Sequence, residues 1–359
     1  MKKLRCALLG ATGLAGQQFV SALQRHPWFE LAAVAASPRN AGKTYREALK
    51  APNGMLGWFL SERIDDSIAE MTVIAGDKLR GDDYDLVFSA VESDVAKELE
   101  PLLAREVPVV SAASAFRYES DVPLLLPPVN PEHLSLLEVQ RKARGWRGFI
   151  TPIPNCTTTG LAIALAPLEA AFGVKGVVMT SLQAVSGAGR SPGVIALDII
   201  DNVIPHIAKE EGKVEIETKK ILGGPTTPHG LKVSATCTRV AVIEGHTITA
   251  CAALAKKASP YEVASAMREW RGHPWTHGLP SAPPSWIEVL DDPFRPQPRL
   301  DRDTHDGMAT SVGRIREDAV LENGMKFVLV SHNTKMGAAK GAVLVAELLK
   351  ARGFLGDRP

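Results

Sequence analysis

Leu4-Arg5-Cys6-Ala7-Leu8-Leu9-Gly10-Ala11-Thr12-Gly13-Leu14-Ala15-Gly16 is the stretch whose reading decides the fold class. Residues 4–9 form a short, mostly apolar run that reads as a buried strand. Glycines follow at once, and Val20, Leu23 and Gln24 continue with helical spacing. Strand, glycine turn and helix are the context that gives such a motif meaning: the glycines let the backbone approach a pyrophosphate, which sits on the helix N-terminus. The spacing is GxxGxxG rather than GxGxxG, and glycine turns also simply join strands to helices. Lys2, Lys3 and Arg5 before the apolar run resemble a leader sequence, but Gly10, Thr12, Gly13 and Gly16 interrupt the run at once.

Outward from this turn, strands and helices alternate. Residues 30–36 read as a second strand. Where an NAD site would carry a carboxylate for the ribose hydroxyls, Ser37, Pro38, Arg39 and Asn40 follow, with Lys43 close by. A hydroxyl and a guanidinium suit a 2′-phosphate and favour NADP over NAD; the alternative is a solvated basic loop. Residues 85–90 and 107–111 read as strands, with a helix over 93–104 between them. The alternation predicts a parallel, doubly wound sheet whose ligand lies at the carboxyl ends of the strands, so Ser89, Ser111 and Arg117 are expected to face it.

A strand over 148–153 leads into Pro154-Asn155-Cys156-Thr157-Thr158-Thr159-Gly160, followed by a helix over 157–172 with a kink at Pro167. From Gly176 the pattern changes. Residues 177–184, 232–242 and 247–254 are long and β-rich, separated by a glycine loop over 186–193 and a helical stretch around 194–222. This predicts a mixed or antiparallel sheet with helices on one side, and a domain change near residue 155. Residues 273–300, rich in proline and tryptophan, read as a lid, an arm across a subunit interface or a long surface loop. Asn333 to Gly337 and then 338–349 form a terminal helix expected to return to the first domain.

Composition excludes several classes. The 359 residues allow two domains, and 45% hydrophobic with 23% charged residues is typical of a globular protein with a sizeable core. A formal net charge of +1 gives no reason to expect nucleic acid or an anionic membrane as partner. No apolar segment reaches the length of about 18 residues that a membrane span needs. Cys6, Cys156, Cys237 and Cys251 form no CxxC pair, which argues against a disulfide scaffold or a cysteine zinc site and fits a reducing cytoplasm.

Cys6, Cys237 and Cys251 lie in apolar strands and read as small buried hydrophobes. Cys156 differs, because it stands at a helix start, where unpaired N–H groups and the helix dipole lower a thiol pKa and supply oxyanion-hole donors. Among nine histidines, His246 sits at the junction of two β-rich runs, behind Gly245, which permits a sharp turn. Arg239 interrupts an apolar strand, and a charge there calls for a partner such as an anionic ligand.

These motifs, taken in order, resemble aspartate-β-semialdehyde dehydrogenase of the archaeal and fungal type over essentially the whole chain. The carriers are Gly10-Ala11-Thr12-Gly13, residues 36–43, Pro154-Asn155-Cys156-Thr157-Thr158, residues 183–189, Glu210-Glu211-Gly212-Lys213, residues 220–223, Arg239 with Gly245-His246-Thr247, and residues 295–303. The resemblance implies a Rossmann-type NADP-binding domain over 1–155, completed by a C-terminal helix over 334–359, and an α+β catalytic and dimerisation domain over 156–333. It implies Cys156 as nucleophile and His246 as acid/base. Arg239 would hold the substrate carboxylate, Glu210 its amino group, and Arg117, Asn155 and Lys213 the phosphate, with Gln183 orienting the substrate. Gly10, Thr12, Gly13, Leu14, Ala15, Ser37, Arg39, Ser89, Ser186, Gly187 and Asn333 would line the NADP site; no metal is implied. Two positions depart from the family: Ala112 stands where an asparagine is common, and Thr157 where serine usually follows the cysteine.

The reaction implied is reversible, NADPH-dependent reductive dephosphorylation of L-aspartyl-4-phosphate to L-aspartate-4-semialdehyde through a Cys156 thioester, in the biosynthesis of lysine, threonine, methionine and isoleucine, by a cytoplasmic homodimer or homotetramer. Malonyl-CoA or succinyl-CoA reductases on the same fold are the alternative. A non-catalytic NADP-binding regulator is a reading of a different class, and the presence of both Cys156 and His246 argues against it.

Overall fold

The computed structural model describes residues 2–51, 53–189 and 193–356. Arg190, Ser191 and Pro192 of the expected glycine loop, and the last three residues of the expected terminal helix, lie outside the described residues. The chain begins β1 (Leu4–Leu9), α1 (Leu14–Leu23), β2 (Phe29–Ala36), α2 (Tyr45–Ala48), α3 (Asp66–Ala69), β3 (Ile74–Ala75), β4 (Leu86–Ser89), α4 (Ser93–Ala104), β5 (Val109–Ser111), α5 (Leu136–Arg144) and β6 (Ile150–Pro152). The six strands form one sheet in the order β3-β2-β1-β4-β5-β6, and every pairing in it is parallel. Strand order reverses between β1 and β4, so a crevice opens there at the carboxyl ends of the strands. Gly10 makes the turn possible. Its φ is +87°, and a Cβ there would stand 2.5 Å from the Ala90 carbonyl oxygen, so no other residue fits.

The second half comprises α6 (Cys156–Phe172), β7 (Val174–Gln183), α7 (Ala196–Ile199), α8 (Glu210–Leu222), β8 (Lys232–Arg239), β9 (His246–Leu254), α9 (Pro260–Glu269), β10 (Ile287–Leu290), α10 (Pro298–Asp301), β11 (Thr310–Glu317) and β12 (Gly324–Ser331). A π-turn over Lys335–Ala339 and then α11 (Lys340–Ala351) close the chain. The second sheet runs β10-β11-β12-β9-β7-β8 and is mixed: β9 pairs antiparallel with β7 and β12, whereas β7 and β8 run parallel. Helix α6 is apolar on all sides, with Leu161, Ala162, Ile163, Ala164, Leu165 and Leu168 fully buried, and it packs on this sheet, α8, α9 and the π-turn. Each large aliphatic side chain so buried contributes roughly 1.5–3 kcal/mol. Helix α11 packs on α1 and β5 of the first half. Glu347 fastens that contact by hydrogen bonds with His26 Nε2 (2.7 Å) and the Ser281 hydroxyl (2.5 Å).

Four expectations need correction. The stretch around 194–222 is not one helix: Pro205 lies within it, and Asp201 and Lys209 take positive φ of 58° and 64°, which separates α7 from α8. The strand expected over 232–242 ends at Arg239, because Val242 and Ile243 turn to accept hydrogen bonds from the backbone N–H groups of Val185 and Ser186. The proline- and tryptophan-rich segment is no lid. It supplies β10, which pairs with β11, buries Trp286 and meets α11 through Ser281. The terminal helix is preceded by the π-turn rather than starting as a regular α-helix.

Ser89 and Ser111, opposite one another on β4 and β5, do not face the crevice. Both are buried, and the Ser111 hydroxyl donates to Glu100 Oε1 on α4 (2.5 Å). Burial pushes the Glu100 carboxyl up to about 7, with the Ser111 and Ser89 hydroxyls pulling the other way. The folded state therefore binds a proton that the unfolded chain releases at about 4.5, so this residue lowers stability as pH rises from about 4.5 to about 7. Glu100→Gln should raise Tm relative to wild type at pH 8, by the equivalent of about 1–3 kcal/mol, and give no gain at pH 4.5. Thermal melts at the two pH values check this; an equal difference at both would refute the assignment.

Candidate active site

The second sheet gathers three chain ends at one edge. β7 ends at Gln183, β8 at Arg239 in register with it, and β9 begins at His246, opposite Ser331. The N-terminus of α6 meets this edge. Cys156 Sγ lies 3.1 Å from His246 Nε2. The backbone N–H of Ala184 donates to His246 Nδ1 (3.1 Å), and the Ala184 carbonyl accepts from Arg239 Nη1 (2.7 Å). Gly187 lies over this group: a Cβ there would stand 2.9 Å from Arg239 Nη1 and 3.2 Å from the imidazole. Asn333 fixes the turn before β9 by accepting from Gly245 N–H (2.8 Å) and donating to the Ser186 hydroxyl (2.8 Å).

Asn155 caps α6. Its Oδ1 accepts from Thr157 N–H (2.9 Å) and Thr158 N–H (3.2 Å), which satisfies two unpaired donors of the first turn. Its Nδ2 donates to Glu210 Oε1 (2.7 Å). Both ends of the amide expected to bind phosphate are thus engaged within the protein. The oxyanion-hole expectation narrows as well, since the Thr157 and Thr158 N–H groups are taken and the N–H of Cys156 itself is the remaining donor beside the sulfur.

Helix α8 presents Glu210, Lys213, Glu217 and Lys220 at helical spacing toward the site. Lys213 Nζ donates to Glu210 Oε2 (3.2 Å), and Gln183 Nε2 to Glu210 Oε1 (3.3 Å). Glu217, fully buried, accepts from Arg117 Nη1 (3.0 Å) and from Asn155 N–H (2.6 Å), which joins Arg117 to the cap. Lys220 Nζ donates to the carbonyls of Arg117, Glu119 and Val122 at 2.8, 2.8 and 2.9 Å. Glu217 was not singled out from sequence, although its spacing from Glu210 and Lys213 carried the signal. Gly337 was passed over as part of a helix start, yet a Cβ there would stand 2.7 Å from Cys156 Cβ.

Electrostatics overturn one expectation. The helix start was expected to lower the Cys156 pKa, but burial, reinforced by the Glu210 carboxylate, pushes the thiol up to about 12 against the smaller pull of Arg117, Arg239 and the Thr157 N–H. Burial, with Arg239 and His332 nearby, pushes His246 down to about 3. Burial thus works against charge on both members of the pair.

A cleft of about 1390 Å³ joins the two sheets. Of the expected residues, Thr12, Gly13, Leu14, Ala15, Arg39, Arg117, Asn155, Cys156, Ser186, Gly187, Glu210, Lys213, Arg239 and Asn333 line it. Gln183 and His246 are buried behind its wall. Gly10 shapes the turn beneath it. Ser37 is exposed outside it, and Ser89 is turned toward α4, its place on the wall taken by Ala90. Ala112 lines the cleft and accepts from Arg117 Nη2 through its carbonyl (3.0 Å), so its methyl leaves that contact intact. The added methyl of Thr157 is fully buried. At the other end of the cleft, the N-terminus of α1 stands beside Arg39, Asn40 and Lys43, with no carboxylate at the end of β2. This donor set fits a dinucleotide carrying a 2′-phosphate.

Comparisons with known proteins agree along the chain. Residues 5–137 match the family described as semialdehyde dehydrogenase, NAD binding domain, and residues 165–336 match semialdehyde dehydrogenase, dimerisation domain. The aspartate-semialdehyde dehydrogenase of Methanothermobacter thermautotrophicus is 45% identical, over 95% of this chain and 97% of its own. That of Candida albicans is 43% identical, over 99% and 100%. The crystal structure of the Candida albicans enzyme with NADP superposes with a TM-score of 0.87 at 41% identity, covering 98% of this chain and 99% of that one.

Cys156 cannot move aside for a new atom at Gly337, because the cap at Asn155 fixes its backbone. Gly337→Ala should therefore lower the rate of Cys156 alkylation, and any turnover that uses this thiol, at least tenfold while leaving a cooperative thermal transition. Alkylation at the wild-type rate would show that the contact does not constrain the thiol.

Proposed function

The chain belongs to the aspartate-semialdehyde dehydrogenase family, and from that premise we propose that it reduces L-aspartyl-4-phosphate to L-aspartate-4-semialdehyde and phosphate with NADPH, reversibly, in the biosynthesis of lysine, threonine, methionine and isoleucine. The observation that carries the reading is the placement of Cys156, backed by His246, with a guanidinium, Arg239, and a carboxylate, Glu210, on the wall of one cleft. A substrate with an α-carboxylate and an α-ammonium finds a counter-charge for each. Arg239 binds the carboxylate. Glu210 binds the ammonium, oriented by Asn155 and Gln183. Arg117 and Lys213 bind the phosphate, Arg117 being held by Glu217 and by the loop that Lys220 secures.

Cys156 attacks the acyl carbon, and the oxyanion that forms is met by the Cys156 N–H and by His246. Phosphate departs, leaving a thioester, which accepts hydride more readily than a carboxylate does. NADPH, when bound, would supply the hydride; Thr12, Gly13, Leu14 and Ala15 at the α1 N-terminus, Arg39 with Lys43, and Ser186, Gly187 and Asn333 would hold it. An acyl-CoA offers no α-ammonium for Glu210, which leaves the CoA reductases without support in this site. The four free thiols support a reducing, cytoplasmic setting, and no helix among the described residues is long and apolar enough to cross a membrane. Exposed apolar residues such as Val178 on β7 support a homodimer or homotetramer through the second sheet.

The deciding experiment follows NADPH oxidation with β-aspartyl phosphate, malonyl-CoA and N-acetyl-glutamyl phosphate. Turnover is expected with the first alone and should vanish in Cys156→Ala; turnover only with malonyl-CoA would sink the proposal, and an active Cys156→Ala would sink the thioester. Arg39→Ala should raise KM for NADPH by at least tenfold and change KM for NADH little. Equal effects on the two cofactors would remove Arg39 from the 2′-phosphate site.

A further inference from the structure

We infer that Gln18, Thr334 and Glu244 form a polar strut that sets the distance between the glycine turn opening α1 and the Cys156–His246 pair, and that hydride transfer depends on this strut while acylation of Cys156 does not. This rests on the reaction proposed above. Gln18 Nε2 donates to the Thr334 hydroxyl (3.0 Å) and, at 3.4 Å, to Glu244 Oε1. The Thr334 hydroxyl donates in turn to Glu244 Oε1 (2.7 Å). Its single proton points to the carboxylate and a lone pair receives the amide, so the chain of bonds has one direction, from α1 through Thr334 to Glu244.

The two ends of the strut belong to the two halves of the molecule. Leu14 and Ala15 line the cleft from the first turn of α1, and Gln18 follows one turn later on the same helix face. Among the described residues, Gln18 is the side chain by which α1 hydrogen-bonds across to the second half. Glu244 stands two residues before His246, in a turn gripped from other directions as well. Arg302 Nη1 donates to the Glu244 carbonyl (3.2 Å), and Asn333 accepts from Gly245 N–H (2.8 Å). Thr334 itself follows Asn333, which donates to Ser186, and precedes the π-turn that sets Gly337 against Cys156. A shift of α1 is therefore passed on to the residues around Cys156.

Packing alone does not call for these side chains. Gln18 and Thr334 are each only 7% exposed, and burying an amide or a hydroxyl costs free energy that its hydrogen bonds must offset. Leucine and valine would fill similar space without that cost. What the polar groups add is direction. Hydrophobic contact is non-directional, whereas bonds of 3.0 and 2.7 Å in series hold three side chains at set separations. Hydride transfer needs such control, because its donor and acceptor are carried by different halves of the molecule, and a misplacement of about 1 Å can cost about 100-fold in rate. Acylation does not, because Cys156, Glu210 and Arg117 are tied to one another through Asn155 and Glu217, with no part played by α1. Gln18, Thr334 and Glu244 are accordingly positioning residues.

Thr334→Val keeps the shape of the side chain and removes both of its hydrogen bonds, whereas Thr334→Ser keeps them. In Thr334→Val, kcat for NADPH oxidation with β-aspartyl phosphate should fall about tenfold or more. Deuterium at C4 of the nicotinamide should slow this variant at least as much as wild type, and KM for β-aspartyl phosphate should stay within about twofold. Thr334→Ser should recover most of the loss. Gln18→Leu should behave like Thr334→Val, and the double variant should lose no more than either single one, as expected of side chains that act as a unit. Three readouts need no cofactor. The phosphate burst that accompanies thioester formation and the alkylation of Cys156 by iodoacetamide should keep their wild-type rates, while amide hydrogen exchange over residues 242–246 should quicken in Thr334→Val and Gln18→Leu. A wild-type kcat in Thr334→Val, additive losses in the double variant, or a burst slowed as much as turnover would overturn the inference. A wild-type enzyme that gives no phosphate burst would instead count against the proposed reaction, and unchanged exchange over 242–246 would then still show that the strut does not hold the turn.

Discussion

Asn155 holds the molecule's chemistry in place through four hydrogen bonds. Its side-chain oxygen closes the first turn of α6, its amide nitrogen reaches Glu210, and its backbone N–H is held by Glu217. Such a cap is worth about 1 kcal/mol to a helix, but here its larger effect is geometric. It sets where Cys156 begins, and through Glu210 and Glu217 it ties that point to the helix that carries the polar side of the site. The apolar bulk of α6, buried against the second sheet, makes this start point rigid. Arg117 is then held by a carboxylate that also holds the cap, so Arg117 and Cys156 share one support.

Rigidity explains the electrostatics. Desolvation of the imidazole and of the partly buried thiol works against charge on either, and outweighs the modest attraction of a helix N-terminus and two guanidinium groups on the thiol. The charges of the site stand instead around that pair, on Arg117, Arg239, Glu210 and Lys213, along the wall of the cleft.

Much of this was legible in the residues, and the exceptions have physical reasons. Apolar runs located the parallel strands, and the glycine turn fixed the end of the sheet at which the cleft opens. Cys156, His246, Arg239 and the Glu210/Lys213 pair converge as their positions implied. Ser89 and Ser111 went wrong because side chains alternate along a strand, and a shift of one residue exchanges cleft for core; the buried Glu100 that claims Ser111 lies on a helix whose polar positions gave no hint of it. The Cys156 pKa was misjudged because a local motif shows the helix end but not the depth of burial, which depends on long-range packing. Gly337 and Ala184 were invisible for the same reason: one matters for the side chain it lacks, the other for its peptide group, and neither leaves a chemical signature in the sequence.

The π-turn before α11 sets a rotational phase. One additional residue in a helical turn rotates everything before it by about 100° relative to everything after. α11 must turn its apolar face to the first sheet, while Asn333 must reach Ser186 and Gly245, and Gly337 must lie flat against Cys156. The widened turn works as a gear offset between a segment fitted to the first sheet and one fitted to Cys156, so the chain returns to its first half while Gly337 stays against the start of α6.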